Sequence, residues 1–384
     1  TNASPEQVKE VFGRQCRLIG RRFRLAHVRY GPELIEVSTY RSSASEAEAH
    51  EDAEFDGDSG RILRDNVYGN IEQDAFRRDF TANALYYNIR DFSIIDYADG
   101  VADVRDRVLR LIGDPETRYR EDPVRMLRAV RLATKLDFSI HPQTEAPIFE
   151  LGDLLRDVPA ARMFEEVRKM FLSPTALACF EGLRHYDLFG YLFPETERAL
   201  SDDQEGFALP MLVKALTNTE DRIRADKPVT PAFLLAAMLW EPVRLAMRQH
   251  KDNGIPPSPA LFRAADQVIE KQQRCISLPR RYTTPMKEIW HLQTRLPRRR
   301  GKQPYKLAAH PRFRAAYDFL LLRAEVGECD QELADWWTQF QEDNADQIVV
   351  APHASDEARP VGNKRRRRRR RRGGKASGSG GSSE

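Results

Sequence analysis

The sequence has no apolar run long enough to cross a membrane. Its longest uninterrupted apolar segment, 232–240, has nine residues, against about 20 for a membrane-spanning helix. No apolar signal-peptide core follows Thr1. Charged residues make up 31% of the chain and hydrophobic residues 41%, which excludes both a membrane bundle and a wholly disordered chain. The 384 residues therefore predict two or three domains with a sizeable core.

Cysteine is also scarce. The chain has four cysteines, at 16, 179, 275 and 329, and they stand too far apart in the sequence to form a zinc motif or a redox pair. Isolated cysteines are typical of reduced thiols in the cytosol. We therefore expect a cytoplasmic protein.

The chain has little net charge, +3, but this charge is unevenly distributed. Nine consecutive cations stand at 364–372. With these and Lys375 set aside from the total of 61 lysines and arginines, residues 1–363 carry 51 cations against 57 acidic residues, a net charge of −6. An acidic body with a cationic tail is typical of proteins that bind a polyanion, nucleic acid first and an anionic membrane second.

Hydrophobic periodicity predicts a mixed αβ segment followed by a long helical one. A first helix is expected after Ser4, because Pro5 suits the first helical position and Gln7 can complete a capping box. A second helix is expected from about 70 to 88, and from Pro123 almost to 347 the pattern is helical. The predicted strands are 17–19, 23–28, 34–39, 92–97 and 108–112. The acidic stretch 42–60 is expected to be a flexible loop, and 348–384 a disordered tail.

Three groups of polar residues are candidates for chemistry. Glu36 lies on a predicted strand, where a carboxylate is either solvated or a ligand for a hard cation such as Mg²⁺. The segment 77–83 contains paired arginines for phosphates, and an Asp and an Asn for sugar hydroxyls. The segment 121–131 offers Asp122 as an acceptor and Arg125 as a two-pronged donor, which could together bind one planar base edge. For each segment the alternative is a solvated charged helix face.

Four segments of the chain resemble the conserved motifs of the class II nucleotidyltransferases in both residues and order. This is the family of bacterial poly(A) polymerases and CCA-adding tRNA enzymes. The segments are RLIGRRFRLAHVRYGPELIEVSTYR at 17–41, ILRDN at 62–66, RRDFTANALYY at 77–87 and IGDPETRYREDPVRMLRAVR at 112–131. The resemblance covers roughly 1–340. GRRFRLAHV, the ILRDN segment and the arginine-rich end are more similar to the poly(A) polymerase branch than to the CCA-adding branch.

The resemblance implies an α+β fold. An incomplete nucleotidyltransferase palm, a small mixed sheet with helices, would be followed by all-helical neck and body domains and a disordered basic tail. The implied bounds are 1–113 for the partial palm, 114–175 for the neck with the base pocket, 176–347 for the RNA-binding body and 348–384 for the tail.

The resemblance also implies an activity and its residues. The enzyme would transfer AMP from ATP to RNA 3′ ends without a template, using two Mg²⁺ ions. Asp79 and Glu36 are the implied catalytic residues, and Glu36 is the implied metal ligand. The implied nucleotide-binding residues are Arg78, Asn83, Glu121, Asp122, Arg125 and Arg128. The implied partners are ATP, mRNA, small RNA, tRNA and the RNA-decay machinery.

One departure from the family is serious. Its first motif, a Gly-rich turn followed by an Asp-x-Asp pair that supplies the main metal ligands, is not among these 384 residues. The Asp-x-Asp at 56–58 lies in the acidic stretch, where no strand would hold it rigidly. We therefore expect an N-terminally truncated chain without polymerase activity. CCA addition to tRNA, or RNA binding without catalysis, remain the alternatives.

Two basic regions are candidates for RNA contact. The first spans 280–306, where cations alternate with Tyr282, Trp290 and Tyr305 as candidate stacking rings. The second is the tail. The predicted RNA-binding residues are Arg298, Arg299, Arg300, Lys302, Lys364, Arg365, Arg368 and Arg372. Trp336 and Trp337 are expected to pack in the core, one facing inward and its neighbour at the rim.

Overall fold

The computed structural model describes residues 1–20, 24–42, 54–55, 62–64 and 68–346. The tail predicted at 348–384 and most of the acidic loop predicted at 42–60 lie outside these residues. Within them the chain is mixed α and β up to Ile140 and helical beyond, which confirms the predicted α+β class. No helix of the described part is long and apolar enough to span a bilayer.

The N-terminal unit packs one helix on a small antiparallel sheet. Helix α1 is Pro5–Phe12, and its predicted capping box is present between Ser4 and Gln7. A 3₁₀ turn leads into strands β1 Cys16–Ile19, β2 Leu25–Tyr30 and β3 Glu33–Val37, which pair in the order β1-β2-β3. Val8 of the helix and Cys16, Ala26 and Val28 of the sheet form its buried core. Two short strands, β4 Glu54–Phe55 and β5 Ile62–Arg64, pair with each other.

The helix predicted from 70 to 88 is wrong in its second half. Helix α2 is Ile71–Arg77, and the backbone turns extended at Arg78. A 3₁₀ turn follows at Thr81–Asn83, then strand β6 Leu85–Asn88, which pairs with β7 Ser93–Asp96. The physical reason lies in contacts from far along the chain, which override local helix propensity.

These contacts come from residues 103–112. The Thr81 amide donates to the Arg110 carbonyl at 3.0 Å, and the Ile112 amide donates to the Asp79 carbonyl at 2.9 Å. The Thr81 hydroxyl donates to the buried carboxylate of Asp103, on helix α3 Gly100–Arg105, at 2.7 Å. These contacts hold residues 78–80 and the 3₁₀ turn Thr81–Asn83 in place of a continued helix.

The predicted strand 108–112 is shorter than expected. Strand β8 is Val108–Leu109, and it pairs in parallel with β9 Ser139–Ile140. Helix α4, Pro115–Glu121, begins with Asp114 as its N-cap, and its Thr117 amide donates to the Asp114 side chain at 2.9 Å. Helix α5, Val124–Leu136, follows directly after Pro123. Asp122, between the two helices, has an extended backbone, with φ −148° and ψ 92°.

The rest of the described chain is helical, as predicted. One large core is built around the helices from α5 to α15, and a smaller second core joins the last three helices to residues 292 and 296. The remaining helices are α6 Pro142–Leu151, α7 Ala160–Phe171, α8 Ala176–His185, α9 Phe189–Leu192, α10 Pro194–Ser201, α11 Ala208–Arg224, α12 Pro231–Met238, α13 Trp240–Asp252, α14 Pro257–Gln273, α15 Arg280–Gln293, α16 Gln303–Ala308, α17 Phe313–Glu325 and α18 Gln331–Asp343.

Candidate functional site

An open cleft of about 860 Å³ lies between the 77–83 segment, the start of helix α5 and helix α7. Its lining includes six residues that the sequence nominated for nucleotide binding or catalysis. The lining residues are Arg77, Arg78, Asp79, Asn83, Asp122, Val124, Arg125, Arg128, Ala161, Arg162, Glu165, Glu166 and Lys169. Two sequence segments about 40 residues apart therefore meet in one cleft.

Asp79 is a largely buried carboxylate of the cleft, with a side chain that is 11% exposed. Its Oδ2 accepts from Arg128 Nε at 2.6 Å, and its Oδ1 accepts from Asn83 Nδ2 and from the Phe80 amide, both at 3.0 Å. Burial alone would raise the pKa of Asp79, but the Arg128 guanidinium and the hydrogen bond from Asn83 hold that pKa below its ordinary value. Asp79 is therefore ionised at neutral pH, with a fixed orientation.

Arg78 is held by Asp74, a carboxylate that does not itself line the cleft. Its Nη2 donates to Asp74 Oδ2 at 2.8 Å, and the Tyr86 hydroxyl donates to the same oxygen at 2.8 Å. Burial and the hydrogen bond to Asp74 raise the pKa of Tyr86 to about 12, so this phenol remains a neutral donor. The Arg78 guanidinium therefore faces the cleft from an anchored position.

Asp122 and Arg125 form the third part of the cleft. Asp122 Oδ2 accepts from Arg162 Nη2 at 2.9 Å, whereas Asp122 Oδ1 is buried and has no hydrogen-bond partner within the described residues. Arg125 Nη1 donates to the Arg118 carbonyl at 2.6 Å and to Glu121 Oε2 at 3.0 Å. Glu121 is not among the residues that line the cleft, and its carboxylate pairs with both Arg118 and Arg125. Its predicted role in nucleotide binding stays a prediction.

Helix α7 supplies cleft residues that the sequence did not single out. Arg162 is followed three and four positions later by Glu165 and Glu166, and Lys169 lies four and three positions beyond these, so the four residues share one side of the helix. Glu166 is buried and joins Arg131 Nε, at 3.1 Å, to Lys169 Nζ, at 2.7 Å. The spacing of these charged residues was the one sequence signal that could have identified them as cleft residues. It does not by itself distinguish a helix that lines a cleft from a helix with a solvated charged face.

The charges of the lining favour an anionic ligand. Six cationic and four carboxylate side chains line the cleft. Arginine binds phosphate oxygens with paired donors, and a largely pre-formed cleft of this size accommodates a small-molecule ligand.

Glu36 lies elsewhere. It is on the exposed strand β3, opposite His27 of β2, whose Nε2 is 3.2 Å from Glu36 Oε1. Asp79 and Asp122 both line the cleft, whereas Glu36 is not among the lining residues. Within the described residues no group of three or more His, Cys, Asp or Glu side chains is arranged to hold a metal ion. The predicted metal role of Glu36 stays a prediction.

The basic region at 280–306 is only partly as expected. Arg298, Arg300 and Lys302 are exposed, and Arg299 is half-buried, in the loop between α15 and α16. Trp290, predicted as a stacking ring, is fully buried and donates its Nε1 hydrogen to the Ala236 carbonyl at 3.1 Å. Its inward position follows from the apolar face of α15, and the stacking assignment is wrong. Lys364, Arg365, Arg368 and Arg372 lie outside the described residues.

Comparison with known protein families gives three matches along the chain. The family described as "Poly A polymerase head domain" matches residues 1–110, "Probable RNA and SrmB- binding site of polymerase A" matches 137–200, and "Polymerase A arginine-rich C-terminus" matches 253–373. Poly(A) polymerase I of Salmonella typhi is 47% identical over 344 residues, 89% of this chain and 74% of that protein.

The chain belongs to the poly(A) polymerase family. Poly(A) polymerase I of Haemophilus influenzae is 45% identical over 349 residues, which cover 90% of this chain and 77% of that protein. A CCA-adding enzyme of Lactobacillus helveticus is 33% identical over 208 residues, 54% of this chain and 46% of that enzyme. The poly(A) polymerase branch thus matches over a much longer stretch than the CCA-adding branch, as the sequence motifs indicated.

Solved structures share the poly(A) polymerase fold seen here. A tRNA nucleotidyltransferase complexed with a primer tRNA and an incoming ATP analog superposes with a TM-score of 0.58 at 21% identity, covering 90% of this chain and 88% of that one. The Bacillus stearothermophilus CCA-adding enzyme in complex with CTP has a TM-score of 0.53 at 23% identity, covering 90% and 72%. At these identities the likeness establishes the fold alone.

Proposed function

We propose that this chain carries the nucleotide-binding and RNA-binding parts of a polynucleotide adenylyltransferase. Such an enzyme adds AMP from ATP to RNA 3′ ends without a template. The observation that carries the proposal is the cleft, because it gathers Arg78, Asp79, Asn83, Asp122 and Arg125 from two separate segments. The substrates would be 3′ ends of mRNA and small RNA in the cytoplasm, which accords with membership of the poly(A) polymerase family.

Asp122 and Arg125 suit a base with an amino group next to an unprotonated ring nitrogen. The buried Asp122 Oδ1 is an acceptor without a partner in the described part of the chain, and it would accept from the amino group. The remaining donors of Arg125 would reach the ring nitrogen. Adenine and cytosine both present this pattern. Guanine and uracil present a carbonyl where Asp122 needs a donor, and two buried acceptors face to face are costly.

The rest of the cleft suits the sugar and the phosphates. The Asn83 amide donates to Asp79 Oδ1, so its own carbonyl oxygen can accept from a ribose hydroxyl. Arg78 and Arg128 both line the cleft with Asp79, and their guanidinium groups would bind phosphate oxygens. Because both arginines are already anchored on carboxylates, little side-chain entropy is lost when the triphosphate binds.

Transfer of the nucleotidyl group in this family would use Mg²⁺ to activate the attacking oxygen and to stabilise the leaving pyrophosphate. The described residues do not fit such a site. Glu36 lies outside the cleft, and Asp79 is engaged by Arg128, Asn83 and the Phe80 amide. We therefore propose nucleotide binding by these 384 residues and derive no catalytic step through a metal ion.

CCA addition to tRNA is the second candidate. The observation that favours it is again the Asp122 and Arg125 pair, because its donor and acceptor pattern does not distinguish ATP from CTP. The longer match to poly(A) polymerases favours the first candidate.

Nucleotide titration tests the proposal. We expect ATP and CTP to bind the chain more tightly than GTP and UTP in isothermal titration. Arg125→Gln should weaken ATP binding by about tenfold or more, because a hydrogen bond to a charged group contributes about 1.5–3 kcal/mol. If all four nucleotides bind equally, or ATP does not bind, the proposed base pocket is wrong.

Arg120→Gln is the matched control. Arg120 lies on helix α4, outside the cleft lining, and forms an exposed ion pair with Glu116 at 2.8 Å. This variant removes the same charge from the same neighbourhood and should leave ATP binding unchanged. Equal losses in both variants would show that general electrostatics, and not base recognition, governs the affinity.

A further inference from the structure

A second cavity shares the segment 76–83 with the cleft. It has a volume of about 290 Å³, and its lining includes Phe76, Thr81, Tyr97, Arg110 and His141. We call this cavity the second pocket. Phe76 and Thr81 line the second pocket, whereas their neighbours in the chain, Arg77, Arg78, Asp79 and Asn83, line the cleft. One short segment therefore serves both cavities.

The register of strands β8 and β9 places two donors side by side in the second pocket. Leu109 pairs with Ile140 in a parallel ladder, so Arg110 and His141 stand at the next position along each strand. Successive side chains of a strand alternate between the two faces of its sheet. Leu109 is fully buried, and Arg110 and His141 therefore lie on the opposite face, where both line the pocket.

Both residues retain a hydrogen that a ligand could accept. Arg110 donates through Nε and Nη2 to the buried carboxylate of Asp103, at 3.0 Å each, and within the described residues its Nη1 has no acceptor. His141 Nδ1 accepts from the Gln143 amide at 3.3 Å, which leaves the ring hydrogen on Nε2. Arg110 Nη1 and His141 Nε2 can thus both donate to one carboxylate.

Two rings and a second acidic residue narrow the class of ligand. Phe76 is 48% exposed and Tyr97 is half-buried, so both can pack against a flat apolar group. Asp99 is exposed and also lines the pocket, and it would repel a ligand with a second negative charge. The volume is close to the lower end of the range for small-molecule sites, about 300–1,000 Å³. A small aromatic compound with one carboxylate fits these features.

Hydrogen bonds join the second pocket to the cleft. Asp103 accepts from the Thr81 hydroxyl at 2.7 Å as well as from Arg110. The Thr81 amide donates to the Arg110 carbonyl at 3.0 Å. Thr81 begins the 3₁₀ turn that carries Asn83 into the cleft. A ligand that holds Arg110 therefore stabilises the turn that presents Asn83.

We propose that the second pocket binds a small aromatic carboxylate and that this ligand tightens nucleotide binding in the cleft. The carboxylate would accept from Arg110 Nη1 and His141 Nε2, and its ring would lie against Phe76 and Tyr97. Binding in the pocket stands on the pocket's own residues, whereas the effect on ATP rests on the proposed function. Because linkage is reciprocal, ATP should raise the affinity of the carboxylate by the same factor.

Indole-2-carboxylate is a suitable probe for the full chain. Its control is indole-2-carboxamide, which has nearly the same shape but no charge. We expect ligand-observed NMR to detect binding of the carboxylate and to find the amide bound about tenfold more weakly, since hydrogen bonds to a charged group are the stronger ones. Absence of carboxylate binding, or equal binding of the two compounds, overturns the proposal.

Two variants locate the probe in the second pocket. Arg110→Lys keeps a positive charge beside Asp103 but removes Nη1, and it should weaken the carboxylate by about tenfold. Phe76→Ala changes an exposed position and should weaken it as well, with thermal melting used to confirm that the variants fold.

Arg107→Lys is the matched control for the arginine variant. Arg107 is exposed, lies outside the lining of the pocket and pairs with Asp137 at 3.2 Å. This variant should bind the probe as the parent does. Unchanged affinity in both pocket variants, or an equal loss in Arg107→Lys, overturns the proposal.

ATP titration with and without saturating indole-2-carboxylate tests the coupling. ATP should bind about fivefold more tightly in the presence of the probe, and Arg110→Lys should abolish this gain. ATP affinity that the probe leaves unchanged or lowers overturns the proposed effect on the cleft.

The outcome is separable from that of the proposed function. If ATP binds and the carboxylate does not, the second pocket is wrong and the proposed function stands. If ATP does not bind, the proposed function fails, and the probe alone then reports on the pocket. In that case it should still slow the hydrogen exchange of the Thr81 amide, which donates to Arg110. Unchanged exchange at Thr81 would overturn the link between pocket and turn.

Discussion

Asp79 shows at the scale of one residue how the cleft is prepared for a ligand. A buried carboxylate is costly unless it is paired and hydrogen-bonded. Arg128, Asn83 and the Phe80 amide satisfy Asp79, and its side chain is only 11% exposed. The same contacts fix Asn83 and Arg128 at the cleft wall, so one buried carboxylate orients both of the groups for which we propose contacts with the sugar and the phosphates.

The lowered pKa of Asp79 gives a pH-dependent prediction. Its folded-state pKa lies below the ordinary value of 3.8, so its stabilisation is present above pH 4 or so and is lost as pH falls through the folded pKa. We expect Asp79→Asn to lower the free energy of unfolding at neutral pH by about 1–3 kcal/mol, because Arg128 loses its partner. The difference between parent and variant should shrink below about pH 4.

Urea unfolding at several pH values measures this difference. Asp91→Asn is a suitable control, since Asp91 is a fully exposed carboxylate whose pKa is lowered by hydrogen bonds from Ser93. That variant should change the neutral-pH stability far less. A parent-to-variant difference for Asp79→Asn that does not depend on pH would contradict the assignment of the lowered pKa to the folded state.

At the scale of secondary structure, the sequence predicted best where local signals agree with tertiary contacts. The capping box predicted from Ser4 and Gln7, with Pro5 at the first helical position, is present at the start of helix α1. The helical pattern after Pro123 was also correct. Residues 78–88 were predicted wrongly, because the bonds that hold Asp79 and Thr81 come from residues about 30 positions later. No local pattern reports such pairing.

The close approach of helix α3 to the Thr81–Asn83 turn gives a prediction for one glycine. A Cβ added at Gly100 would lie 2.3 Å from the Thr81 carbonyl oxygen and 2.9 Å from its carbon. Both atoms belong to the backbone, so the turn that carries Asn83 must shift. We expect Gly100→Ala to destabilise the fold by about 1–3 kcal/mol and to weaken ATP binding in the same titration.

Gly190→Ala is the matched control for this prediction. Gly190 lies in helix α9, and an added Cβ would meet only Glu197 side-chain carbons, at 3.7 and 3.9 Å. These are ordinary contacts, and alanine is the better helix former. This variant should be as stable as the parent or slightly more so. Comparable destabilisation in both variants would argue against a tight contact at Gly100.

At the scale of the whole molecule, the cleft could be predicted only in part. The resemblance to nucleotidyltransferases nominated residues at 77–83 and 121–128, and these segments do meet. Periodicity alone did not indicate that meeting. The α7 wall was missed because Arg162 and Glu166 act through Asp122 and Arg131, their partners 40 and 35 positions away. Such distant ion pairs leave no local signal in one sequence.

The placement of Glu36 and the cleft leads to the last prediction. Two-metal nucleotidyl transfer needs several carboxylates around the reacting phosphate, and the described residues bring no such group together. We expect these 384 residues to bind ATP and oligoadenylate yet to add no AMP to a labelled RNA 3′ end with ATP and Mg²⁺ present. Poly(A) polymerase I of a relative, assayed in parallel, controls for the conditions. Any extension of the primer would contradict this expectation, and extension that Glu36→Gln abolishes would mean that Glu36 takes part in it.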